Sequence, residues 1–294
     1  MGYVDRWIKC TNDDGVSVTF GEKGLTPFLL VNAEGCYTVT NNVTISENTM
    51  TDGGAYQGSV AKVRNIVLTI KDLTDHVYNR NLLLALFKSG DLGTLVFHEE
   101  KNERKIDYYV ESITSTGEYG ARTYQISLLC PDPFFYAMED IIVYMSAWIP
   151  NFIFEHEFIE SGEELGYRSA ERLQSIFNEN AADNIGMDIL IYANGNVENP
   201  SITRVESDET ITVGSSAKPL TMIAGDQVLI TTSDNNKQVY LIHEGVTTPI
   251  NEFLTEDSVF IQLMRGVNSI GYDADSGVDN MVVQITYRLK FAGA

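Results

Sequence analysis

Leu128-Leu129-Cys130-Pro131-Asp132-Pro133-Phe134-Phe135-Tyr136 is the stretch on which the reading of this 294-residue chain turns. Just upstream, Arg122-Thr123-Tyr124-Gln125-Ile126-Ser127-Leu128 alternates in the manner of a strand. Each proline fixes its own φ and disfavours helix in the residue before it, so the backbone here is extended and stiff. Three aromatics follow at once and need burial. A rigid joint with an aromatic anchor fits the exit from one domain into another. A strand end with a surface turn is the plainer reading of the same residues.

The halves on either side differ in charge. Residues 1–136 carry 12 Lys+Arg against 17 Asp+Glu, net -5, and residues 137–294 carry 8 against 24, net -16. So acidic a surface repels nucleic acid and anionic lipid, and no basic patch offsets it. It fits a role in keeping a large assembly soluble, or in lining a passage through which DNA slides without sticking. The 44% hydrophobic content and mean hydropathy of -0.09 describe a soluble globular protein. Tyr 15, Phe 13 and Gly 23 lean toward β structure. Cys10, Cys36 and Cys130 are odd in number, far apart and without a CxxC pair, so reduced, buried thiols made in a cytoplasm are expected. Met1 to Arg6 lacks the apolar core of a signal peptide. The most apolar run, Ile141 to Phe154, is broken by Pro150 and is shorter than the ~20 residues that span a bilayer.

In the first half, Tyr3 to Lys9 and Val16 to Phe20 read as strands joined at Asn12-Asp13-Asp14-Gly15, a hairpin signal. Phe28 to Val31 and Tyr37 to Ile45 are further strand candidates, and Thr51 to Tyr56 reads as a loop. Val63 to Lys71 alternates so that Arg64, Ile66, Leu68 and Ile70 should face the core. One helix is expected, capped by Thr74 or Asp75 and ended by Gly90, with Val77, Leu83, Leu84 and Phe87 recurring at near-helical spacing. Strands return at Thr94 to His98, Lys105 to Ile113 and Ala121 to Leu129. This is an α+β pattern.

Ile141 to Ile149 reads as a buried strand, and Ser169 to Phe177 as a weak helix within a polar, irregular segment from Glu155 to Asp183. From Ile185 on, short strands follow one another to Phe291, one of them at Val259 to Leu263, with Asn194-Gly195, Ala224-Gly225-Asp226 and Asp273 to Gly277 as punctuation. Many short strands with regular turns mean a β-sandwich.

Chemistry is sparse. Nothing matches a phosphate-cradling loop, a GxSxG elbow or HExxH. His98-Glu99-Glu100 and His156-Glu157 hold metal-capable groups without metal-site spacing. Asp273-Ala274-Asp275-Ser276-Gly277 begins like a calcium loop. It has Gly277 one place early and Ile285 where the bidentate Glu belongs, so it reads as a hairpin turn. The expectation is no catalytic, cofactor-binding or metal-binding residues.

Taken together, several motifs resemble the distal tail protein (Dit) family of long-tailed bacteriophages. They are Gly24-Leu25-Thr26-Pro27, Asp52-Gly53 leading to Lys62-Val63-Arg64-Asn65, Phe87-Lys88-Ser89-Gly90 before Gly93-Thr94-Leu95, and Pro131-Asp132-Pro133-Phe134-Phe135-Tyr136. In the second half, Tyr192-Ala193-Asn194-Gly195-Asn196, Gly225-Asp226-Gln227 and Arg265-Gly266-Val267-Asn268 resemble the start, the later strands and the Gly-x-Asn turn of the family's C-terminal module. Arg265 stands where the family has Pro, and Ile141 to Asp183 is longer than the family's joint.

The resemblance implies a mainly β chain. Residues 1–136 would be a ring-forming belt domain of β-sandwich or split-barrel type with one helix. Residues 137–184 would be a linker, and residues 185–294 a galectin-like β-sandwich. It further implies a non-enzymatic homo-hexameric ring at the virion tail tip. That ring would join the tail tube protein to the tail-associated lysin or hub and carry receptor-binding proteins, with DNA passing through unbound. The competing readings are a host-surface carbohydrate-binding adhesion module and, third, a wall-degrading hydrolase.

Overall fold

A strand buries every second side chain and shows the others, and nearly all of this molecule follows from that rule. The computed structural model describes residues 6–21, 26–47, 52–74, 76–117, 122–145, 148–150, 166–168, 172–179 and 184–294. The chain divides into two units, Met1–Met138 with Lys290–Ala294, and Glu139–Leu289.

The first unit opens with β1 (Arg6–Asn12) and β2 (Ser17–Phe20), a hairpin whose turn is closed by the Gly15 N–H donating to the Asn12 carbonyl at 3.0 Å. Next come β3 (Phe28–Glu34), β4 (Asn41–Glu47), β5 (Gly54–Ala61), β6 (Arg64–Asp72) and helix α1 (His76–Leu86). β7 (Leu92–Glu99), β8 (Asn102–Thr116), β9 (Thr123–Cys130) and β10 (Phe135–Ala137) follow. The main sheet is antiparallel in the order β2-β1-β7-β8-β9-β6-β3, with β10 paired to β8. A bridge between Gly21 and Leu29 joins the two ends of that order, so the sheet curls around its own core. On β6 the inward set is Arg64, Ile66, Leu68, Ile70 and Asp72, as the alternation requires. Thr51 to Tyr56 does not stay a loop: from Gly54 it becomes β5, which pairs only with β4.

Helix α1 buries Asn79, Leu83 and Leu86, with Phe87 just beyond its end, while Val77 and Leu84 are exposed. The expected spacing therefore named two residues on the wrong face. The inward place one turn before Leu83 belongs to Asn79, whose Nδ2 donates to Asp72 Oδ1 at 2.7 Å and to Thr74 Oγ1 at 3.2 Å. That pair ties the start of the helix to the end of β6.

In the second unit, β11 (Ile141–Tyr144), the paired β12 (Trp148–Pro150) and β13 (Gly166–Arg168), and β14 (Leu173–Asn178) precede β15 (Met187–Ala193). Then come β16 (Val197–Arg204), β17 (Glu209–Thr212), β18 (Thr221–Met222), β19 (Gln227–Ser233), β20 (Asn236–His243), β21 (Val246–Pro249), β22 (Gly266–Ser276) and β23 (Met281–Tyr287). Two antiparallel sheets result, one in the order β11-β23-β15-β19-β20-β21 and the other β14-β22-β16-β17 with β18 on β16. Both feed one core. Ile189, Val228, Ile230 and Ile285 come from the first, and Ile176, Ile202, Ile211 and Ile270 from the second. Two sheets sharing one apolar interior make a β-sandwich.

Three expectations need correction here. Leu173 to Asn178 is a strand, because Ile176 and Asn178 point inward by twos and the segment pairs with β22. The strand expected from Ile141 to Ile149 is divided between β11, which ends at Tyr144, 59% exposed, and β12, which begins at Trp148 and pairs with β13 instead. Val259 to Leu263 buries Ile261 and Leu263 but forms no strand, only a bridge from Leu263 to Ile185. Residues 137–184 include β11 and β14, which are strands of the two sheets.

The chain ends on β24 (Lys290–Phe291), which pairs with β10 in the first unit rather than in the sandwich. Among the described residues no helix is long and apolar enough to cross a membrane.

Candidate functional site: a clasped tail and an exposed arm

Arg64 heads β6 and shares its inward face with Ile66, Leu68 and Ile70. A charged side chain in such a set must find polar partners. Its Nη1 donates to the carbonyls of Gly35 (3.0 Å) and Cys36 (2.9 Å), and its Nη2 donates to the carbonyl of Ala292. Burial lowers its pKa, although a guanidinium keeps its proton in any folded protein. Gly35 has φ of +82°, and a Cβ there would run into the Asn65 carbonyl, so this turn requires glycine.

Arg104 makes a second grip on the same tail. Its Nη1 donates to Gly293 O at 2.6 Å, and its guanidinium lies 3.9 Å from the centre of the Phe291 ring. The Ala294 N–H donates to Cys36 O at 3.0 Å. Lys290 Nζ lies 4.1 Å from the Phe134 ring centre. The aromatic stretch after the two prolines is thus the floor of a clasp. Phe134 and Phe135 are buried, and Asp132 accepts from the Phe134 N–H and the Tyr136 hydroxyl.

The hairpin of β4 and β5 is the other feature. Neither strand has a buried residue, and Ile45 and Tyr56 face each other across it at 57% and 66% exposure. Val43 and Val60 are also exposed.

In the second unit the polar side chains of the motifs close turns. Asn268 is buried. Its Oδ1 accepts from the Met264 N–H, and its Nδ2 donates to the carbonyls of Met264 and Gly266. Asp226 accepts from the Ile223 N–H at 2.9 Å through Oδ2, and its Oδ1 lies 2.6 Å from His243 Nδ1. The buried Arg204 bonds Ser207, the Gln262 carbonyl and Glu209.

The metal-capable groups do not converge. His98 stacks on Trp7 at 4.7 Å and bonds Glu103, while Glu99 accepts from the Tyr37 hydroxyl. His156 and Glu157 lie outside the described residues. In the calcium-like stretch, Asp273 pairs with Arg172 and Asp275 accepts from Asn199, and β22 runs on to Ser276 before Gly277 turns at φ of +75°. Among the described residues no three His, Cys, Asp or Glu side chains are grouped to hold a metal.

A curled antiparallel sheet with one helix, followed by a sandwich whose chain returns to the first unit, has solved counterparts. The chain has the fold of phage Dit and baseplate proteins. The crystal structure of SPP1 Dit (gp 19.1), described as a paradigm of the hub adsorption apparatus in phages that infect Gram-positive hosts, matches with TM-score 0.66. The match covers 97% of this chain and 99% of that one at 13% identity. The phage P2 baseplate in its activated conformation, solved with Ca and with Sr, matches over the full length of both chains with TM-score 0.51, at 10% and 11% identity. No protein-family model and no curated protein matches the chain.

Within this Dit fold, Asp52-Gly53 stands immediately before β5 of the arm, Arg64 is the clasp, and the Pro-Asp-Pro-aromatic stretch is its floor. Gly24 and Leu25 lie outside the described residues. Alternation puts Arg64 on the inward face, and a guanidinium beside Ile66, Leu68 and Ile70 implies buried acceptors, which is the signal for the clasp that the sequence carries.

Proposed function

We propose that this chain is a structural distal tail protein. Six copies form a ring that joins the phage tail tube to the tail-tip hub or tail-associated lysin and carries receptor-binding proteins. It is made in the host bacterial cytoplasm and works at the virion tail tip. DNA passes through the ring unbound, and the chain itself catalyses nothing.

The observation that carries this reading is the arm. A two-stranded hairpin is marginal by itself in water, and this one keeps Val43, Ile45, Tyr56 and Val60 exposed. An apolar arm of this kind is completed by a neighbour. Between Asn41 and Ala61 its only charges are Glu47 and Asp52, so it can approach an acidic copy of the chain without strong repulsion. Head-to-tail contacts of this type close a ring when the rotation permits. The fold shared with SPP1 Dit supports the phage setting.

The test is mass in solution. Light scattering on the full chain should give six times 32.7 kDa. Ile45→Asp with Tyr56→Asp should give folded monomers, since neither side chain reaches the core. A monomeric wild type, or a double variant that still assembles, rejects the reading.

A further inference from the structure

The outer side of α1 is a surface that the packing of the first unit does not explain. The helix turns Asn79, Leu83 and Leu86 inward. Val77, Asn81 and Leu84 follow one another along the opposite stripe, flanked by Tyr78 and Ala85, and all five are exposed. Val77, Tyr78 and Leu84 are each half exposed or more. The solvent side of a surface helix is ordinarily charged. Here residues 76–90 carry Arg80 and Lys88 and no carboxylate, in a chain of net charge -21.

The arm is its complement. Strand alternation and register put Val43, Ile45 and Glu47 of β4 on one face with Tyr56 of β5, and Asn42, Thr44 and Ser46 on the other. Gly54 leaves room on the first face for Ile45, because a Cβ there would run into Ile45 Cγ2. The result is a ribbon with one apolar side, and that side carries Glu47. Val43 and Ile45 stand about 7 Å apart along the strand, and Val77 and Leu84 about 10 Å apart along the helix, so the two apolar patches are of similar length. Ile45, Tyr56 and Leu84 all stay exposed in the single chain, so the arm does not cover its own helix. The occupant is therefore sought in a second copy. Between Asn41 and Ala61 the arm's charges are acidic, Glu47 and Asp52, and those of the helical stretch are basic, so the two surfaces attract one another. Each copy carries both surfaces, and a contact between unlike surfaces of identical chains is head-to-tail.

We propose that the outer face of α1 on one copy is the seat of the β4–β5 arm of the next, with Val43, Ile45 and Tyr56 packed on Val77, Tyr78 and Leu84, and Glu47 facing Arg80 and Lys88. This rests on the ring reading and adds to it the surface that receives the arm. The test uses full-length chains. A copy carrying Ile45→Cys is co-expressed with one carrying Leu84→Cys, and the product is treated with a short bismaleimide. Denaturing gels should show crosslinked dimers, twice 32.7 kDa. Neither variant alone should give them, nor should wild type, whose three cysteines are buried. Leu84→Asp, at an exposed position, should bring the mass in solution down from that of a ring to 32.7 kDa. If the co-expressed copies have the mass of a ring and yield no crosslinked dimer, the arm docks on another surface, and this inference falls while the ring stands. A Leu84→Asp chain that assembles like wild type overturns it as well. A monomeric wild type overturns both.

Discussion

The Arg64 guanidinium lies 4.9 Å from the centre of the Phe135 ring, a cation–π contact inside the first unit. Those residues are far apart in sequence, and the contact connects the buried face of β6 with the aromatic stretch that follows Pro131 and Pro133. The same guanidinium reaches Ala292, so one side chain gathers three distant pieces of chain. Each piece contributes only a carbonyl or a ring. The charge is what makes the arrangement specific, because a buried guanidinium left without acceptors would be costly.

Arg64→Ala should therefore destabilise the first unit. It strands the carbonyls of Gly35 and Ala292, while Cys36 O keeps its bond from the Ala294 N–H, and each buried group left unbonded costs about 1–3 kcal/mol. Arg64→Lys should not rescue it, since an ammonium lacks the planar fork that reaches several acceptors. Denaturant unfolding followed separately in the two units should show the first transition earlier and the second unmoved. An unchanged first transition would mean that the tail is held by Arg104 and packing alone.

The three thiols should be inert in the folded chain. Cys10, Cys36 and Cys130 are all buried and free. Burial pushes the Cys36 and Cys130 thiols up to about 12, and the Cys10 thiol higher still. The thiolate is the reactive form, so at mildly alkaline pH none should react with a disulfide reagent such as DTNB. All three should titrate once denaturant is added. A fast-reacting thiol in native protein would show that one of these sites opens readily.

Much of the fold could be read from the sequence where partners were close or periodic. Arg64, Ile66, Leu68 and Ile70 declared a buried face by alternation, and Asn12 to Gly15 declared a hairpin. What could not be read depended on distant backbone. Ser169 to Phe177 reads as a weak helix, whereas Leu173 to Asn178 is β14; its partner strand, β22, lies some ninety residues on and leaves no local mark. Gly53-Gly54 looked like a loop because glycine signals a turn, whereas here it stands at the entry to β5 of the arm. The clasp was half legible. Arg64 was in view, but it bonds Ala292 across 228 positions through a carbonyl that any residue supplies. Asn79 was missed for the opposite reason, as a polar residue on a helix is ordinarily assigned to the outer face.

A pH-dependent contact sits at one end of the six-stranded sheet. His243 Nδ1 lies 2.6 Å from Asp226 Oδ1, and that hydrogen bond, followed by the carboxylate's charge, raises the His243 pKa above its ordinary 6.5. Glu244 beside it acts in the same direction. Because the folded value exceeds the unfolded one, the contact's contribution to stability is fully present below about pH 6.5 and is lost as pH rises through the raised value. An NMR titration of the His243 ring should place its midpoint above 6.5. Asp226→Asn should bring the midpoint back toward 6.5 while keeping an oxygen for the Ile223 N–H, so the turn itself should survive. If the midpoint is the same in the variant, the carboxylate does not hold the imidazole in solution, and the turn at Ile223 to Asp226 stands on its backbone bonds alone.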